Sequence, residues 1–134
     1  MNIDKLKELY KKYNLTKDDV FKHQHYVIIT RTGIEKIEAQ EKIHIQYTLE
    51  KAEPTFAVVK AYGELNDKEM ETFGSALKGE TYKDGNTNTW YVTEMAEKRA
   101  FSRIVLKLTG FYALGVFGED ESEDFKKKIN IYKQ

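Results

Sequence analysis

At 134 residues, 40% hydrophobic and 33% charged, the chain has the length of one domain able to bury a core without staples. Its 22 basic and 22 acidic residues cancel and cysteine is absent, which excludes disulfides, thiolate metal centres and a globally basic nucleic-acid surface. No apolar run nears the roughly 20 residues of a membrane span and no signal-peptide core opens the chain, so the expectation is a cytoplasmic protein with no membrane partner.

Ile3, Leu6, Leu9, Tyr10 and Tyr13 recur at helical spacing after Asn2, an N-cap residue type, and Asn14 is placed to end that helix. Thr16 and Asp19 have capping-box spacing for a short turn over 17–21. His25–Thr30 is apolar and β-branched, hence a strand. Thr32 and Glu35 form a second capping box, with Ile34 and Ile37 turned inward on a short helix through Ala39 and Arg31 beside the turn.

From Ile43 the period changes to two. Ile43, Ile45, Tyr47 and Leu49 alternate with polar residues, Glu53-Pro54 turns the chain, and 56–64 places Ala57, Val59 and Ala61 on one face. A tight connection at 65–68 leads to a third strand over 69–74, so 43–74 reads as a three-stranded antiparallel meander, extended to four if His25–Thr30 joins it. A polar loop of about fifteen residues follows over 74–88, long enough to suggest a functional segment.

Residues 88–110 then read as one long helix, capped by Asn88 or Thr89 and stopped by Gly110. Phe111 to Phe117 is an apolar segment docking back on the core. Five acids in six residues (Glu119, Asp120, Glu121, Glu123, Asp124) and Lys126 to Lys128 then form a charged tail. The fold class expected is α+β: a meander packed on one long helix, with an N-terminal helix, in a domain over 1–118 and a mobile tail over 119–134.

The long helix carries Arg99, Arg103 and Lys107 at i, i+4 and i+8, one cationic stripe, with Glu94, Glu97 and Lys98 on a separate arc. Like charges at this spacing repel by a few tenths of a kcal/mol per pair, which calls for an anion along the stripe. A phosphate backbone fits the planar guanidinium fork; pairing with acids such as Glu94 or Glu97 is the plainer reading. Apolar residues on two sides of the stripe, Met95 on one and Ala100, Ile104 and Leu108 on the other, imply a helix held between the sheet and something else, for which a neighbouring subunit would serve. His23, His25 and His44 lack zinc-site spacing, Gly74 to Gly79 lacks the phosphate-loop pattern, and no nucleophile or paired-carboxylate constellation stands out. No metal, cofactor or enzymatic activity is expected.

The order of meander strands, Thr72-Phe73-Gly74-Ser75-Ala76-Leu77-Lys78-Gly79, a loop, and a helix reading Glu94 to Gly110 with Lys98-Arg99-Ala100 and Arg103 resembles the single-strand annealing proteins of homologous recombination, the eukaryotic Rad-type protein and its phage relatives. The resemblance covers about 26–110 and is strongest over 72–110; Arg103 stands one residue later than in the eukaryotic pattern. It implies a β-β-β-α core and a homo-oligomeric ring or filament. Single-stranded DNA would lie in a groove between the meander and the helix over 89–109, in phage-type annealing that needs no ATP. Phosphates would lie on Lys98, Arg99 and Arg103, with Lys107 and Arg31 adding charge, and Lys60 and Tyr62 would line the other wall. Trp90 and Tyr91 would either stack bases or pack as helix-entry core. The groove would require the acidic tail to leave it. The alternative is a small protein-interaction module, such as a phage-type modulator of a host complex, keeping the fold without binding DNA.

Overall fold

The computed structural model describes residues 2–79, 85–87 and 90–121. Asn2 opens the first helix, α1 (Ile3–Lys12), its Oδ1 accepting from the Lys5 N–H at 3.1 Å, and Asn14 follows it at a φ of 55°. The Thr16 and Asp19 spacing does make a box, but around a turn. Asp19 Oδ2 accepts from the Thr16 N–H at 2.9 Å, and the chain then enters β1 (Val20–His23), a strand its mixed polarity conceals. A hairpin at Gln24 returns it as β2 (Tyr26–Ile29).

Helix α2 (Arg31–Glu41) is capped by Thr30, whose Oγ1 accepts from the Gly33 N–H at 3.1 Å. The cap is thus two residues before the Thr32 expected for it. Ile34 and Ile37 are fully buried on its inner face. Strands β3 (His44–Ala52), β4 (Phe56–Leu65) and β5 (Lys68–Leu77) form one antiparallel sheet in that order, with a bulge at Glu50. β5 runs three residues past the 69–74 strand, so Ser75 to Leu77 belong to the sheet and not to the loop. β2 does not extend this sheet. It sits in a second one, β1-β2-β6, where β6 (Val116–Gly118) lies parallel to it. Among the described residues the fold is therefore α+β, with three α-helices and two three-stranded sheets.

Helix α3 (Val92–Leu108) lies between the sheets. Ala57, Val59, Ala61 and Ala76 face it from β4 and β5, and Ala96 and Ala100 face back, all but Val59 without exposed surface. These small residues let backbone approach backbone. A Cβ at Gly74 would overlap the Ala96 carbonyl oxygen and the Ala100 nitrogen, so this position must be glycine. On the far side Gly118 of β6 comes close to Ser102 and Ile34. The second apolar side of the helix is thus covered by the chain itself, which removes the need for a neighbouring subunit there. Helix α3 starts at Val92 after Tyr91; the expected caps Asn88 and Thr89 lie outside the described residues. It ends at Thr109, with Gly110 at a φ of 91° supplying the left-handed stop.

Asp19 is 4% exposed. Burial alone would raise its pKa, but the Lys36 Nζ at 2.7 Å and two donors from Thr16 outweigh it and hold the carboxyl below its usual range. A lowered folded-state pKa means that the stabilisation is full above about pH 4 and fades as pH falls through the folded value. Asp19→Asn is expected to cost about 1 kcal/mol at neutral pH, since Lys36 is partly solvated, with the difference from the parent narrowing towards acid in urea titrations across pH.

Candidate nucleic-acid interface

The cationic stripe of α3 finds its anions inside the chain. Among the described strands β5 is paired only by β4, so the carbonyls along its outer edge need donors. Arg99 Nη1 donates to the Ser75 carbonyl at 2.9 Å, and Arg103 Nη1 to the Phe73 carbonyl at 2.9 Å. Four residues of helix rise about 6 Å and two residues of strand about 6.8 Å, so guanidiniums at i, i+4 meet carbonyls at i, i+2. The spacing that suggests a phosphate track therefore also matches the edge of a strand.

Arg99 is 3% exposed and spends its remaining donors on backbone too: Nε to the Asp120 carbonyl at 3.2 Å and Nη2 to the Asn86 carbonyl at 2.7 Å. Asn86 seals the next stretch of edge, Oδ1 accepting from the Leu77 N–H at 2.7 Å and Nδ2 donating to the Ser75 carbonyl. Arg103 Nε donates to Glu121 Oε1 at 2.7 Å. Lys107 continues the stripe beside Glu71, its ammonium 5.4 Å from the Tyr112 ring centroid. Where the sequence reading placed phosphate, Arg99 thus meets backbone carbonyls, and Arg103 meets one carbonyl and Glu121.

The start of the acidic run is part of the fold, so the boundary expected after residue 118 falls within packed structure. Glu119 Oε1 accepts from the Arg31 N–H at the start of α2, at 3.1 Å. Asp120 Oδ2 takes the Ser102 hydroxyl at 2.8 Å and Arg31 Nη1 at 3.3 Å; Glu121 is 5% exposed against Arg103. Arg31 is further held by Glu35 at 3.2 Å and lies over the Phe101 ring. The acids therefore sit on these cations and have not left them. Residues 122–134 lie outside the described residues.

Lys60 and Tyr62 belong to the other side of the sheet. Strand alternation turns them away from the face that Ala57, Val59 and Ala61 present to α3, so they cannot share a groove with the helix cations. Lys60 lies between Glu50 (3.7 Å) and Glu71 (3.9 Å). Tyr62 donates among Glu64 and Glu69, which pushes its pKa up, Glu64 contributing first.

Trp90 and Tyr91 are each 68% exposed, so they are not helix-entry core. Lys78, at the end of β5, holds its ammonium 4.0 Å from the Trp90 ring centroid. Lys98 lies two helical turns beyond Tyr91, exposed and in no ion pair among the described residues. The structure thus gathers two open aromatics and two cations at the start of α3. Lys78 escapes a sequence reading because only the return of the chain over 85–87, bridging Lys78 to Thr87, sets the end of β5 beside the helix entry. Among the described residues no set of three or more His, Asp or Glu side chains is placed to hold a metal ion, and no helix is long and apolar enough to cross a membrane. Comparison of the chain with protein-family models, with curated proteins and with solved structures finds no match in any of the three.

Proposed function

We propose that the chain binds and anneals single-stranded DNA without ATP, in homologous recombination of the phage type. The observation that carries this reading is the exposed pair Trp90 and Tyr91 at the entry of α3, with Lys78 against Trp90 and Lys98 two turns on. Aromatic faces stack any base, worth about 1–3 kcal/mol each, and cations beside them take the phosphates. The N-terminal end of a 17-residue helix adds a favourable partial charge. The antiparallel β3-β4-β5 order and the helix laid across β4 and β5 support the resemblance to annealing proteins. The DNA path proposed here runs over the helix entry, not between helix and sheet, with Arg99 and Arg103 as framework beneath it.

Trp90 is the only tryptophan, so its fluorescence reports directly on stacking. Addition of an oligonucleotide at low salt is expected to quench it, with affinity falling as salt rises. Trp90→Ala is expected to weaken binding about tenfold, measured by anisotropy of a labelled strand, and Lys98→Ala to weaken it and flatten the salt slope. Neither change should lower the melting temperature, because both side chains are solvated. An absence of binding at low salt, or unchanged affinity in both variants, overturns the proposal.

A protein-interaction module is favoured by a different feature: Tyr47 and Leu49 of β3, 42% and 53% exposed, lie on the helix side of the sheet beside a strand edge that no described strand pairs. In the annealing reading that edge receives a neighbouring copy in a ring or filament. A particle mass from light scattering that stays at one chain, together with no fluorescence response to DNA, selects the module.

A further inference from the structure

The two edges of the β3-β4-β5 sheet are treated differently. Along β5 the carbonyls of Phe73 and Ser75 accept from Arg103 and Arg99, and the Leu77 N–H donates to Asn86. Along β3 no described strand pairs the outer edge. From His44 to Leu49 that edge carries no lysine, proline or bulge, the devices that keep an open strand from pairing; Lys51 and the bulge at Glu50 come after it. Backbone alternation fixes which residues face outward. Phe73, Ser75 and Leu77 turn their amide groups off the far edge of β5, so Met70, Thr72 and Gly74 bond Gly63, Ala61 and Val59 of β4. Tyr62 and Lys60 then bond Gln46 and Thr48, and Ile45, Tyr47 and Leu49 hold their N–H and C=O groups off the open edge. The side chains of these three lie on the helix side, where α3 runs across β4 and β5 and leaves Tyr47 and Leu49 exposed.

We infer that this edge receives a second copy of the chain, β3 against β3, antiparallel about a two-fold axis at Tyr47. In that register Tyr47 faces its own counterpart and Ile45 faces Leu49 of the second copy, each facing pair exchanging two N–H···O bonds. On the other face of the sheet Gln46 meets Thr48, and His44 comes opposite Glu50 at the bulge. The stretch is thus its own complement: apolar side chains meet apolar ones and no like charges are opposed. That self-match selects a second copy over a foreign strand. Glu97 and Glu38, countered by Arg31, also act on Tyr47, which leaves net negative charge on each side of the axis. The pairing should therefore tighten as salt screens that charge, whereas a basic foreign segment held there would loosen. The inference does not rest on DNA binding, because Trp90 and Lys78 lie at the end of β5, on the opposite edge. In the annealing reading the two-fold pair is the unit from which a ring or filament is built.

The chain has no cysteine, which makes a cross-linking test clean. Tyr47 and Ala52 are both exposed on β3, but the two-fold register sets the two 47 positions about 5.5 Å apart and the two 52 positions about 34 Å apart. Under mild oxidation Tyr47→Cys is expected to form a disulfide between copies roughly tenfold or more faster than Ala52→Cys. Light scattering of the parent chain at micromolar concentration is expected to give twice the chain mass, holding or rising in dimer fraction as salt increases. Leu49→Lys, which sets a charge opposite Ile45, is expected to return the mass to one chain with the circular dichroism spectrum unchanged, because Leu49 is solvated in the single chain. A one-chain mass for the parent overturns the inference, as do equal closure rates at 47 and 52 or a mass that Leu49→Lys leaves unchanged.

Discussion

Replacing Arg99 by alanine is expected to lower stability by about 3 kcal/mol, read as a shift of roughly 10 °C in melting temperature or by urea titration. The guanidinium is buried, and it bonds the backbone carbonyls of Ser75, Asn86 and Asp120. Truncation removes a donor from each of these part-buried acceptors, of which the Ser75 carbonyl keeps a second one from Asn86 Nδ2, and opens a cavity between β5, the 85–87 segment and the turn at Asp120. Arg99→Lys should recover only part of the loss, because one ammonium cannot span three carbonyls set by a planar fork. Single-stranded DNA affinity of the fraction that stays folded should be unchanged. A large loss of affinity with full stability would return Arg99 to the role of phosphate ligand.

Gly74→Ala is expected to be at least as damaging, costing more than about 3 kcal/mol. The added Cβ would meet backbone of α3 at Ala96 and Ala100, and a helix cannot yield there without moving as a whole. Gly63→Ala is the informative contrast. Its Cβ would lie 2.7 Å from Ile104 Cγ1 and 2.8 Å from Leu108 Cδ1, side-chain atoms that can change rotamer, so the cost should be nearer 1–2 kcal/mol. Comparable losses at the two positions in chemical denaturation would mean that α3 does not lie hard against β5.

Much of the fold is legible in local pattern. Asn2 as cap, the period-two run from Ile43, the inward set Ala57, Val59 and Ala61, and Gly110 as a stop all describe what the structure contains. Strands β1 and β6 are not legible. They are four and three residues long, too short for a period to emerge, and β6 earns its identity only by lying parallel to β2, from which about ninety residues of chain separate it. The cap of α2 is ambiguous for a related reason: Thr30 and Thr32 are the same residue type two positions apart, and the pairing of β2 decides which one stands outside the helix.

The candidate site divides the same way. Spacing along α3 by itself determines that Arg99, Arg103 and Lys107 share one side and that Lys98 stands apart. Whether that side faces water, DNA or protein is decided by segments remote in sequence: the edge of β5 brings the carbonyls of Phe73 and Ser75, and the chain after β6 brings Asp120 and Glu121. Solvation is likewise tertiary, which is why Trp90 and Tyr91, apolar and next to a helix, stand open while the charged Arg99 is buried. Periodicity sets which side chains travel together because it follows from backbone geometry over a few residues. Their partners depend on where the chain returns, and this chain returns its own carbonyls and carboxylates to the basic stripe of α3.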